Sequence, residues 1–153
     1  QVAIDFSNNG VKTIVLVSRS KTNLERVEKL LNPKCETRIY PCDISKKNEV
    51  VEMGKEIEEK YNHIDILVNN AGFGRYGKVL EQTLQEIEQV MFTNYFGMVY
   101  CTKVFLNSMI KNGSGHIVIV ASLAAIFGIP GMAAYCGSKF EMLGFSESLY
   151  HEL

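Results

Sequence analysis

Residues 64–72 read IDILVNNAG: a run of aliphatic, largely β-branched residues, interrupted only by Asp65, that breaks directly into two asparagines, an alanine and a glycine. Ile64–Val68 has the length and composition of a strand, and the segment after it has turn chemistry. Thr13–Ser18 (TIVLVS), Thr37–Pro41 and His116–Ala121 are short runs of the same kind. Longer amphipathic stretches separate them. Leu24, Val27, Leu30 and Leu31 recur at helical spacing, with Thr22 and Glu25 as a candidate capping box and Pro33 as a stop. Val50, Met53, Ile57 and Tyr61 share one face of a helix that starts at Ser45. Thr83 and Glu86 form a second candidate capping box, opening a long helix to about Lys111 that Asn112–Gly115 end. Val2–Asn9 reads as the end of a helix closed by Gly10, and a last helix runs from about Tyr135 to the C-terminus.

The strand runs are continuously apolar rather than alternating, which suits a sheet covered on both faces. Strand and helix in alternation mean parallel strands joined by crossovers. The fold class is therefore α/β, a doubly wound parallel sheet between two helical layers. With 153 residues, no repeat and no linker, the chain is expected to form one domain over 1–153.

Composition excludes several functions. Hydrophobic residues make up 46% and charged residues 22%, enough for a sizeable core and unlike a disordered chain. Lys and Arg number 16 against 17 Asp and Glu, a net charge of −1, so no charge excess points to nucleic acid, an anionic membrane or a polycation. No apolar run approaches the roughly 20 residues that span a bilayer, and no signal-peptide pattern opens the chain. Cys35, Cys42, Cys101 and Cys136 match no zinc spacing and read as free thiols of a reducing compartment. His63, His116 and His151 are scattered and form no ligand set, so no metal is expected.

Ligands of open α/β sheets bind at the C-terminal ends of the strands. Those ends are Ser18-Arg19, Asp43-Ile44, Asn69–Gly72 and Ala121-Ser122. The sharpest local feature is Tyr135-Cys136-Gly137-Ser138-Lys139. A Tyr and a Lys four apart share a helix face. An ammonium near a phenol favours the phenolate, and a phenol tuned in this way serves as acid or base near neutral pH. The same spacing also fits an amphipathic helix with a snorkelling lysine. Asn94, among Phe92, Tyr95 and Phe96 inside the long helix, is expected to be partly buried and in need of partners. The aromatics around it, with Tyr100 and Phe105, read as core.

Taken together, IDILVNNAG at 64–72, the helical Asn94, the strand GHIVIVAS ending in Ser122, and YCGSK at 135–139 resemble the short-chain dehydrogenase/reductase family, over essentially the whole chain. The resemblance implies a Rossmann-like fold and an oxidoreductase that interconverts a carbonyl and a secondary alcohol with a nicotinamide cofactor. It implies Tyr135 as general acid and base. Lys139 lowers the tyrosine pKa and holds the nicotinamide ribose, and Ser122 hydrogen-bonds the carbonyl oxygen. Asn94 holds a relay water. Asn70, Ala71 and Gly72 pass beside the ribose, and Asp43 and Ile44 face the adenine. Where an acidic residue would bind the adenosine ribose the chain has Ser18-Arg19-Ser20, and an Arg there suits a 2′-phosphate; NADP is favoured over NAD. A homodimer or homotetramer through the long helices is implied as well.

The sequence also departs from the family. Its opening strand and T-G-x-x-x-G-x-G turn have no counterpart, and Gln1–Asn9 resembles the second half of the helix that follows them. The final strands and substrate lid have none either. The expectation is a domain incomplete at both ends, an internal part of a longer protein that neither folds stably nor catalyses alone. The apolar loop Leu123–Ala134, with Phe73, Tyr76 and Met132 as candidate pocket walls, points to a lipid-like ketone, steroid, retinoid or acyl chain. The expected location is cytoplasmic, or the endoplasmic-reticulum membrane if an N-terminal anchor precedes the chain. Two other readings remain: a non-catalytic dinucleotide-binding sensor or scaffold, and a product that acts by pairing with longer subunits.

Overall fold

Thr13–Ser18 forms β1 and Glu36–Pro41 forms β2, paired in parallel from Thr13 opposite Glu36 to Ser18 opposite Pro41. Ile66–Asn69 (β3) and His116–Ile119 (β4) make a second parallel pair, from Ile66 opposite His116 to Asn69 opposite Ile119. In this computed structural model, which describes all residues 1–153, the two sheets are separate two-stranded sheets, one in each of two compact units, Gln1–Asp43 and Ile44–Leu153. Parallel strands joined by helices are the α/β architecture expected.

In the first unit, α1 (Val2–Asn8) is followed by Gly10 at φ +85°, a left-handed backbone that a side chain would strain. The helix α2 (Lys21–Glu28) links β1 to β2. Its cap is Ser20 rather than Thr22: the Ser20 backbone is extended and its hydroxyl accepts from the Asn23 N–H at 3.2 Å, which places Thr22 inside the first turn. The helix also stops at Glu28, before Pro33, so Leu24 and Leu31 are buried while Leu30 is exposed. Ser7 ties α1 to the turn before β2, accepting from the Asn32 N–H at 3.1 Å.

In the second unit, α3 (Lys47–Tyr61) buries Val50, Met53 and Ile57, the apolar face expected from their spacing. Burying a side chain of this size contributes about 2 kcal/mol. It packs on α5 (Gly97–Asn112) so closely that a Cβ on Gly54 would overlap Val104 Cγ1. The expected long helix exists in three parts. α4 (Leu84–Met91) opens with the full Thr83–Glu86 capping box, a π-helical turn follows at Phe92–Phe96, and α5 continues to a left-handed Gly113 at φ +67°. After β4 come a short 3-10 turn (Leu123–Ala125) and α6 (Ala133–Glu152). The core of this unit gathers Val90, Met98, Phe105, Met109, Ala124, Ala125 and Met142. All four cysteines are buried free thiols. No helix is long and apolar enough to cross a membrane.

Candidate active site

Asn94 sits in the π-turn at Phe92–Phe96. An amide is a middling choice for a helix interior, but here it satisfies backbone that the strand end leaves unpaired. Asn94 is fully buried. Its Oδ1 accepts from the Phe73 N–H at 2.9 Å, and its Nδ2 donates to the Phe73 carbonyl at 2.9 Å and to Ser138 Oγ at 3.0 Å. Both amide hydrogens are therefore committed within the protein, and the side chain has none left to donate to a relay water.

Tyr135 and Lys139 lie one turn apart on α6, as their spacing requires. The Lys139 side chain is only 4% exposed, and its Nζ lies 5.7 Å from the centre of the Tyr135 ring. Nζ donates to the carbonyl of Val120, just beyond β4, at 2.9 Å. Burial pushes the Lys139 ammonium below the ordinary lysine range, because a single carbonyl does not replace its lost hydration. Ser122 stands two residues after that carbonyl in extended backbone, and its Oγ accepts from the Ala124 N–H at 3.2 Å. The hydroxyl hydrogen is left to donate.

The segment after β3 closes the group. Asn70, Ala71 and Gly72 are exposed. A Cβ on Gly72 would lie 3.1 Å from Asn94 Oδ1 and 3.7 Å from Lys139 Nζ, and one on Gly74 would lie 3.3 Å from the Tyr135 ring. Asn69 turns inward instead and donates to Thr102 Oγ1 of α5 at 3.0 Å. The structure thus gathers Gly72, Asn94, Tyr135 and Lys139, with Ser122 on the strand end that holds the lysine. The exposed backbone of 70–72 beside a buried ammonium with donor capacity to spare fits the ribose of a nicotinamide nucleotide. Ile44 packs its side chain against Gly97 at the start of α5, where a Cβ would meet its Cδ1 at 2.7 Å. Arg19 and Asp43 belong to the first unit: Arg19 is exposed directly after β1, and Asp43 is half-buried after β2.

Two loops flank Tyr135. The Gly77 N–H donates to the Gly131 carbonyl at 2.9 Å, and the Tyr76 ring lies over Gly131. Arg75 pairs with Glu86, whose carboxylate is held below the usual range by the Thr83 N–H and then by Arg75. Apolar side chains remain open here: Tyr76, Leu123, Ile126 and Phe127 are all exposed.

A family model described as short chain dehydrogenase matches residues 1–153. The 3-ketodihydrosphingosine reductase of Dictyostelium discoideum is 42% identical over 124 residues, 78% of this chain and 37% of that protein. Among solved structures, a metagenomic short-chain oxidoreductase in complex with NADP superposes with a TM-score of 0.93 at 26% identity, covering 99% of this chain and 68% of that one. An NAD+-bound xylitol dehydrogenase superposes at 0.90 with 30% identity, covering 96% and 57%. The chain spans less than half the length of the curated relatives it matches.

Proposed function

This chain belongs to the short-chain dehydrogenases, and from that membership we propose that it serves an NADP(H)-dependent oxidoreductase that interconverts a carbonyl and a secondary alcohol on an apolar substrate. The observation that carries this reading is the convergence of Asn94, Tyr135 and Lys139 on the strand end at Gly72, from segments that are remote in sequence. A phenol beside a buried ammonium, at the C-terminal end of parallel strands, is equipment for moving a proton at an oxygen atom.

In reduction, Tyr135 gives its phenolic proton to the substrate oxygen; in oxidation it takes that proton back. Ser122 donates its hydroxyl hydrogen to the same oxygen and stabilises the charge that develops there. Lys139 would hold the nicotinamide ribose, together with the main chain of Asn70, Ala71 and Gly72. The cofactor, when bound, supplies or accepts the hydride. In the same proposal Asp43 and Ile44 would serve the adenine, and Arg19 would take the 2′-phosphate. The exposed apolar residues Tyr76, Leu123, Ile126 and Phe127, on the loops that precede Tyr135 and follow Ser122 or Gly72, favour a lipid-like ketone or alcohol, in keeping with the name of the sphingoid relative. A homodimer or homotetramer is part of the same proposal, supported by the stacked aromatic row along the long helix, in which Phe92 and Phe96 are exposed and Tyr100 is half-buried.

The test is oxidation of NADPH and of NADH by the purified protein with carbonyl compounds graded from short ketones to long-chain 3-keto lipids. Faster turnover with NADPH, rising with apolar length, is expected. Nucleotide binding without turnover of any carbonyl compound would favour a non-catalytic binding protein of the same fold.

A further inference from the structure

Ser138 has no part in the chemistry just described, yet it is fully buried and its hydroxyl is used twice. Oγ donates to the Tyr135 carbonyl at 2.8 Å and accepts from Asn94 Nδ2 at 3.0 Å. A helical serine that bonds only the carbonyl three residues back is ordinary. The second bond, from an amide 44 positions away on the π-turn, is not local.

We propose that Ser138 is a positioning residue for Tyr135, fastening the tyrosine's turn of α6 to the Asn94 amide. The proposal rests on the reading of Tyr135 as acid and base. The Tyr135 carbonyl is the one an α-helix offers to the N–H of Lys139, so the hydroxyl acts on the turn that sets Tyr135 against Lys139. Asn94 works from the other side. It grips both the N–H and the carbonyl of Phe73, which fixes the following residue, Gly74. The Tyr135 ring lies against Gly74, where a Cβ would stand 3.3 Å from Cδ2 and 3.4 Å from Cγ. One buried amide therefore holds Tyr135 at two points, its main chain through Ser138 and its ring through Gly74. Only a side chain that both donates and accepts in a small volume fits position 138.

The experiment compares Ser138→Ala and Ser138→Thr with the unaltered protein, measuring kcat, the NADPH Kd by calorimetry, the pH–rate profile and Tm. Ser138→Ala is expected to lower kcat about 10-fold or more, because small misplacements of a reacting group are costly. It should leave the NADPH Kd within about 2-fold and move the acid/base limb of the pH profile. Ser138→Thr, which keeps both bonds, should restore kcat and the profile. Should the alanine variant not fold, Ser138→Cys fills the same space with weak bonds and should show the same selective loss of kcat. An unchanged kcat and pH profile in the folded variant overturns the proposal. So does a loss that only follows the fraction unfolded with the profile intact. Tyr135→Phe separates the two levels. If it stays active, the reading of the site fails; if it is inactive while Ser138→Ala matches the unaltered protein, only the positioning role fails.

Discussion

Lys139 shows how a single residue trades stability for a site. Its ammonium is buried with one carbonyl acceptor, and burial lowers its pKa. Because the folded value lies below the unfolded one, the unfolded chain binds more protons between the two, and stability rises with pH through that window. Lys139→Met removes the buried charge. It should flatten this slope and raise Tm by about 2–4 °C, the shift for on the order of 1 kcal/mol, while abolishing turnover. Thermal melts across alkaline pH check the sign; a lower Tm in the methionine variant contradicts it. Tyr135, Lys139 and Asn94 were legible in the sequence as candidates because spacing on a helix and an amide among aromatics are local signals, although the amide is more deeply buried than the expected partial burial. Ser138 and Asn69 were not. Their partners, Asn94 and Thr102, lie 44 and 33 positions away, and no local pattern announces a bond that only tertiary packing creates.

At the scale of elements, the crossing of α3 and α5 depends on a missing side chain. Gly54 faces Val104 without room for a Cβ. Gly54→Ala should destabilise the protein by about 1–3 kcal/mol through overpacking, despite alanine's better helix propensity. Adding Val104→Ala should recover much of the loss, and urea melts of the single and double variants measure the coupling. Most elements were readable: β1 matches its expected bounds, and the Thr83–Glu86 capping box forms as written. The π-turn at Phe92–Phe96 was not, because its aromatics and Asn94 also fit a continuous helix by periodicity. The Asn94 amide in this turn bonds both main-chain groups of Phe73, a tertiary contact that periodicity does not carry. The cap of α2 lies at Ser20 rather than the expected Thr22, because both are capping residue types and backbone conformation decides between them.

For the molecule as a whole, near-neutral charge and helix-linked parallel strands direct attention to a small-molecule site rather than a polyanion surface. In the proposed reading the choice of NADP rests on Arg19, exposed at the end of β1. Arg19→Glu should weaken NADPH relative to NADH by about 10-fold or more, since it replaces a charge-assisted phosphate contact with repulsion. Calorimetric titration with both nucleotides gives the ratio, and an unmoved ratio removes Arg19 from the cofactor site. The central claim, that Tyr135 moves the proton, is tested most directly by a single turnover. Protein saturated with NADPH is mixed with a carbonyl substrate, and the loss of NADPH absorbance is followed for the unaltered protein and Tyr135→Phe. The account predicts equal NADPH affinity and a rate roughly 100-fold or more slower in the phenylalanine variant. A Tyr135→Phe protein that turns over its bound NADPH at the unaltered rate would contradict it.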